Sequence, residues 1–101
     1  MEFWYFKFEG RFKCTSSEYG KGLFSGCLIP ESNYMSAKLS FLNFLKENQI
    51  KIVDIVNEFS VDGTLLDPKD VNNTFWINFY KESKTVNKPV FDVWHLYEIG
   101  T

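Results

Sequence analysis

Histidine occurs once in these 101 residues, cysteine twice and proline three times, and the first two scarcities each remove a class of chemistry. A nucleophile–base pair needs a side chain that titrates near neutral pH, and His95 is the sole imidazole. A two-histidine nuclease site is therefore excluded. The alternation around His95 groups it with Phe91, Val93, Tyr97 and Ile99, so it reads as a packed residue of an apolar-flanked strand. A zinc site would draw on four thiolate or imidazole ligands, and two cysteines and one histidine stand here at no ligand spacing. There is no calcium-loop pattern, no Walker loop and no GxGxxG turn. Gly20-Lys21-Gly22 is a short GKG that reads as a hairpin turn. Neither metal nor cofactor is expected, no residue is assigned a catalytic role, and the chain is not expected to be an enzyme.

Basic clusters are missing too. The formal net charge is −2, whereas a nucleic-acid partner calls for a basic patch that displaces counterions. No apolar run approaches the roughly 20 residues that span a bilayer. Glu2, Lys7, Glu9, Arg11 and Lys13 punctuate the opening, which is unlike a signal peptide. The expectation is a cytoplasmic protein with neither a nucleic-acid nor a membrane partner. A hairpin about Glu18–Gly20 would set Cys14 opposite Lys21 to Leu23, short of Cys27, so a disulfide fits poorly. Two free, half-buried thiols in a reducing compartment are expected instead, and the sequon at Asn72-Asn73-Thr74 carries no weight without export.

What the chain has in quantity is aromatic side chains: they make up 19% of it, with 11 phenylalanines, in a composition that is 45% apolar. That suffices for one core, and residues 1–101 read as a single domain without repeats or linkers. Trp4, Phe6, Phe8, Gly10, Phe12 and Cys14 alternate with Tyr5, Lys7, Glu9, Arg11 and Lys13, which predicts a long strand with one dry face and one wet face. Thr15–Lys21 reads as a turn and Gly22–Ile29 as an antiparallel second strand, in which Gly26 marks a bulge or a close approach of another backbone. Pro30-Glu31-Ser32-Asn33 is a helix-start signal, and Asn48 is a candidate left-handed stop. Between them the apolar residues cover about 220° of a helical wheel, wider than a simple surface helix presents. Such a helix is either covered on two sides or leaves an apolar flank in water, and Lys38 within the arc must snorkel.

Ile50–Val61 is β-branched and predicts a strand, with Asp62-Gly63 as a turn and Leu65-Leu66 as a short return strand. Asp67-Pro68 is a second helix-start signature. Thr74–Tyr80 after it has strand-like propensity but puts aromatics on both faces of a strand. As a helix, Val71, Phe75, Trp76, Phe79 and Tyr80 form its stripe, so helix or strand is left open there. Val90–Ile99 reads as a closing strand. The fold class that follows is α+β: an antiparallel-dominated sheet of about four strands with one or two helices on one face.

Charge is distributed unevenly. Asp54, Glu58, Asp62, Asp67 and Asp70 lie in a 17-residue stretch with one lysine, a net −4, and the other 84 residues carry +2. Turn and cap roles account for part of this, since Asp67 suits a helix cap and Asp62 a turn. Otherwise such a region steers a basic partner towards itself, with aromatic anchors such as Trp76 and Tyr80 beside it.

In this general character, carried by Asp54, Glu58, Asp62, Asp67 and Asp70 with the aromatic-rich strands, the chain resembles the immunity proteins of bacterial contact-dependent and polymorphic toxin systems. That resemblance spans the whole chain but rests on no diagnostic motif. It implies a non-catalytic inhibitor that covers the basic active-site cleft of a cognate toxin, such as a nuclease, with acidic and aromatic side chains. A second reading is a small-molecule-binding or regulatory domain whose aromatic-lined pocket uses His95, Asn78 or Asp92. A third is an enzyme using carboxylates or His95.

Overall fold

A computed structural model describes residues 2–62, 78, 81–82 and 87–99. Its frame is a five-stranded antiparallel sheet crossed on one face by a helix, the α+β arrangement that the periodicities predict. The elements are β1 (Glu2–Phe12), β2 (Lys21–Ile29), α1 (Tyr34–Glu47), β3 (Ile50–Asp62), β4 (Val90–Phe91) and β5 (His95–Glu98). Strand β1 is central, paired with β3 on one side and β2 on the other; β4 and β5 both pair with β2.

The helix-covered face holds the main core. Phe6, Phe8 and Phe12 of β1 meet Leu23, Cys27 and Ile29 of β2 and Ala37, Phe41 and Leu45 of α1. The spacing of four along the helix brings Ala37, Phe41 and Leu45 to one line, and Phe41 stacks on Phe6 with centroids 4.6 Å apart at 10°. Such ring pairs contribute about 0.5–1.5 kcal/mol beyond the area they bury.

The opposite face is not uniformly wet. Phe3, Tyr5 and Leu28 form a second buried cluster with Val90 packed against it, so Tyr5, assigned by alternation to the wet side, is only 7% exposed. From Lys7 onward that face opens to water. Period two distinguishes the faces of a strand; it does not show how far each face is covered.

Helix α1 starts where expected: the Asn33 side chain accepts from the Ser36 backbone N–H at 3.1 Å, satisfying an otherwise orphan donor. Its end differs from the expectation. Asn48 has φ −93°, and the left-handed residue is Gln49 at φ 59°. Asn48 instead donates through its side-chain amide to the Phe44 carbonyl at 2.8 Å, an end-cap that needs no positive φ.

Strand β3 bends over two bulges. The pairing with β1 steps from Lys7↔Asn57 to Phe8↔Ile55, and from Glu9↔Asp54 to Gly10↔Ile52. The inserted residues are therefore Val56 and Val53, exposed at 51% and 48%. Gly26 is no bulge, because the β1–β2 register runs without a shift; it admits the Tyr5 ring instead.

The closing segment is two strands. Asp92 breaks it: its backbone N–H donates to the Gly26 carbonyl at 2.8 Å, and its carboxylate takes the Val93 N–H out of the ladder. Cys14 lies beyond the last β1–β2 pair, Arg11↔Gly22. Both cysteines are free, but neither is half-buried as expected: Cys14 is exposed in the turn, and Cys27 is buried on the helix-covered face. Leu65-Leu66 and most of the second-helix stretch lie outside the described residues; Asn78, Lys81 and Glu82 within that stretch are helical.

Candidate functional site

The acidic set does not gather into one surface within the described residues. Cross-strand neighbours share a face, and Asp54 pairs with Glu9 whereas Glu58 pairs with Phe6. Asp54 therefore stands on the open face and Glu58 on the helix side. There Glu58 accepts the Tyr34 hydroxyl at 2.7 Å and meets the Lys38 ammonium at 3.6 Å. The Lys38 ammonium lies 6.0 Å from the Phe6 ring centroid and 5.7 Å from that of Tyr34. This is the snorkel that the helical wheel demands: stem over rings, charge on a carboxylate. Asp62 ends β3. Asp67, Asp70, Trp76 and Tyr80 lie outside the described residues.

The wide apolar arc of α1 resolves into a core line and an uncovered flank. Met35 is 66% exposed, Leu39 61% and Leu42 38%, at spacings that keep them on one side of the helix. Singly exposed apolar residues are ordinary, but a row of three is the kind of surface that marks protein contact.

The open sheet face carries a pattern that alternation alone could not reveal, because it depends on register. One row across the strands reads Asp54, Glu9, Phe24, His95; the next reads Lys51, Arg11, Gly22, Tyr97. Carboxylate thus stands beside carboxylate and cation beside cation, arrangements that weaken a sheet by a few tenths of a kcal/mol to about 1 kcal/mol each. The Tyr97 hydroxyl donates to Glu9, which raises the phenol above its usual pKa. His95 is exposed, not packed as its sequence neighbours suggest. The break at Asp92 puts Phe91 on the helix side and His95 and Tyr97 on the open side.

Two sites offer little chemistry. Burial pushes the Cys27 thiol well up, away from the thiolate a nucleophile needs. An open cleft of 240 Å³ lies between α1 and Pro89, lined by Ser40, Asn43, Phe44 and Glu47. That is below the usual range of about 300–1,000 Å³ for ligand pockets. His95, Asn78 and Asp92 do not line it, and Asp92 instead accepts the Tyr5 hydroxyl at 3.2 Å. Among the described residues no three His, Cys, Asp or Glu side chains group as metal ligands, and no helix is long and apolar enough to cross a membrane. The chain matches no protein-family model, and no curated protein or solved structure is significantly similar to it.

Proposed function

We propose that this chain is a non-catalytic binding protein, and specifically an immunity protein that neutralises a cognate toxin by occluding its basic cleft. The observation that carries the binding reading is the uncovered flank of α1. Met35 and Leu39 stand in water at 66% and 61% exposure, although the helix could place polar residues there without cost to the core. Apolar area of this kind gains about 25 cal/mol per Å² when a partner covers it. The toxin reading adds the acid-rich stretch from Asp54 to Asp70, whose field favours a basic partner and speeds encounter more than it deepens affinity.

Glu58 is engaged by Lys38 and Tyr34; the reading assigns contact with the partner to Asp54, Asp62, Asp67 and Asp70, with Trp76 and Tyr80 as anchors. The test is to cross-link the tagged full chain in its source cell, identify the captured protein, and ask whether that protein poisons cells lacking this chain. Lysine at Asp62, Asp67 and Asp70 together should weaken binding at least tenfold while leaving Tm within a few degrees. Unchanged affinity in that variant removes the acidic mechanism. A captured protein that is harmless when expressed alone removes the immunity reading.

A further inference from the structure

The like-charge rows of the open face are self-complementary, and the geometry points to a second copy of this chain as their occupant. The rows are Asp54–Glu9–Phe24–His95 and Lys51–Arg11–Gly22–Tyr97. Place a two-fold axis between two facing sheets, parallel to the rows and midway between them. Each position of one row then meets the same column of the other row in the partner.

The columns match one by one. Asp54 faces Lys51 and Glu9 faces Arg11, while His95 faces the backbone position of Tyr97, whose ring leans across Gly22 to Glu9. Phe24, 42% exposed, faces the column of Gly22. That column has no side chain of its own and is roofed by the Tyr97 ring, which gives the phenylalanine an aromatic floor. Because the operation is two-fold, every contact occurs twice, as an isologous interface requires. The strands of the two sheets run in opposite directions, within the aligned class of sheet packing at about 10 Å separation.

Three observations favour a copy over a basic partner at this face. The two rows hold two acids and two bases, so the face presents no net acidic field. Within one chain each row sets like charges side by side, and a facing row of opposite sign relieves both repulsions at once. The described ion pairs, Lys21–Glu18 and Lys38–Glu58, lie elsewhere. Arg11, Lys51, Asp54 and His95 are exposed, and Glu9 is partly buried and accepts the Tyr97 hydroxyl of its own chain. Lys7, one row further out and also exposed, sits at the rim, where charges set encounter rates more than affinity.

Eight residues per copy fall short of the roughly 20–30 of a standard interface, so the association is weak, reversible and salt-sensitive. It involves neither the α1 flank nor residues 62–80. Asp54 is the one residue it shares with the immunity reading, which rests chiefly on that flank and on Asp62, Asp67 and Asp70 and is tested separately.

The test is sedimentation equilibrium of the full chain across micromolar to millimolar concentration, in reducing buffer because Cys14 is exposed. The expected average mass rises from 11.9 kDa towards twice that value, and association weakens at least tenfold when salt goes from 50 to 500 mM. Two variants decide the mode. Glu9→Lys with Asp54→Lys makes both rows basic, and Arg11→Glu with Lys51→Glu makes both acidic. Each alone should remain monomeric, and an equimolar mixture should form a heterodimer tighter than the wild-type pair. Circular dichroism checks that each folds; if either does not, Phe24→Ser replaces it and should weaken self-association at least fivefold. A wild-type chain that stays monomeric at millimolar concentration and low salt overturns the proposal. So does a dimer indifferent to row reversal, or a mixture that stays monomeric.

Discussion

The ring of Tyr5 occupies the space that a side chain on Gly26 would need: a β-carbon there would overlap the tyrosine hydroxyl. The hydroxyl in turn donates to Asp92 at 3.2 Å, the residue whose carboxylate breaks the closing strand. Tyr97 repeats the arrangement over Gly22 and ends on Glu9. Two tyrosines thus lie across two glycines of β2 and tie three strands together by carboxylates.

These two glycines should respond differently to the same change. Tyr5 is buried at 7% exposure, so its ring has no room to give way, whereas Tyr97 is only partly buried. Gly26→Ala should cost about 2–3 kcal/mol by overpacking, and Gly22→Ala about 1 kcal/mol or less. Urea midpoints of the two variants check this; an equal or larger loss for Gly22→Ala would contradict the tyrosine-over-glycine account.

Alkaline pH should destabilise the fold in two steps. Burial raises the Cys27 thiol, and burial followed by the neighbouring Asp92 carboxylate raises the Tyr5 phenol. For both, the folded state holds its proton to higher pH than the unfolded state. Their contribution is therefore fully present below the unfolded values, about 8.5 for cysteine and about 10 for tyrosine. It is lost as pH rises from there towards the folded values. Stability measured from pH 7 to 11 should begin to fall near pH 8.5 and steepen above about 10. Cys27→Ala should abolish the first step and Tyr5→Phe the second, whatever their effects at pH 7.

The end of α1 offers a third check. Gln49 holds the left-handed conformation at φ 59°, which glycine adopts without strain, so Gln49→Gly should be neutral or stabilising by up to about 1 kcal/mol. Asn48→Gly should lose about 1 kcal/mol, because it deletes the amide that caps the Phe44 carbonyl. Thermal melts that reverse this order would restore Asn48 as the left-handed stop.

Local signals served well where the physics is local. The cap at Asn33, the span of α1, the strand from Ile50 and the free cysteines follow from side chains acting on their own backbone or on a hairpin register. The snorkelling of Lys38 was legible as well, since a cation inside an apolar arc has few other options. Its partner, Glu58, was not, because proximity in sequence groups it with Asp54 although the two stand on opposite faces of the sheet. Two bulges at Val53 and Val56 fix which β3 residues face the helix, and no residue type announces a bulge in a run of valine and isoleucine.

The sequence by itself determined the periods: which residues alternate, where helices start, how much apolar surface must be buried and which catalytic sets are missing. Only the tertiary structure decided the register. Pairing across β3, β1, β2 and β5 is set by non-local packing, and it turns charges scattered along the chain into one acidic and one basic row. The physical reason is reach. Caps and alternation act within a few residues of backbone, whereas a row across a sheet joins side chains more than forty residues apart, such as Glu9 with Asp54.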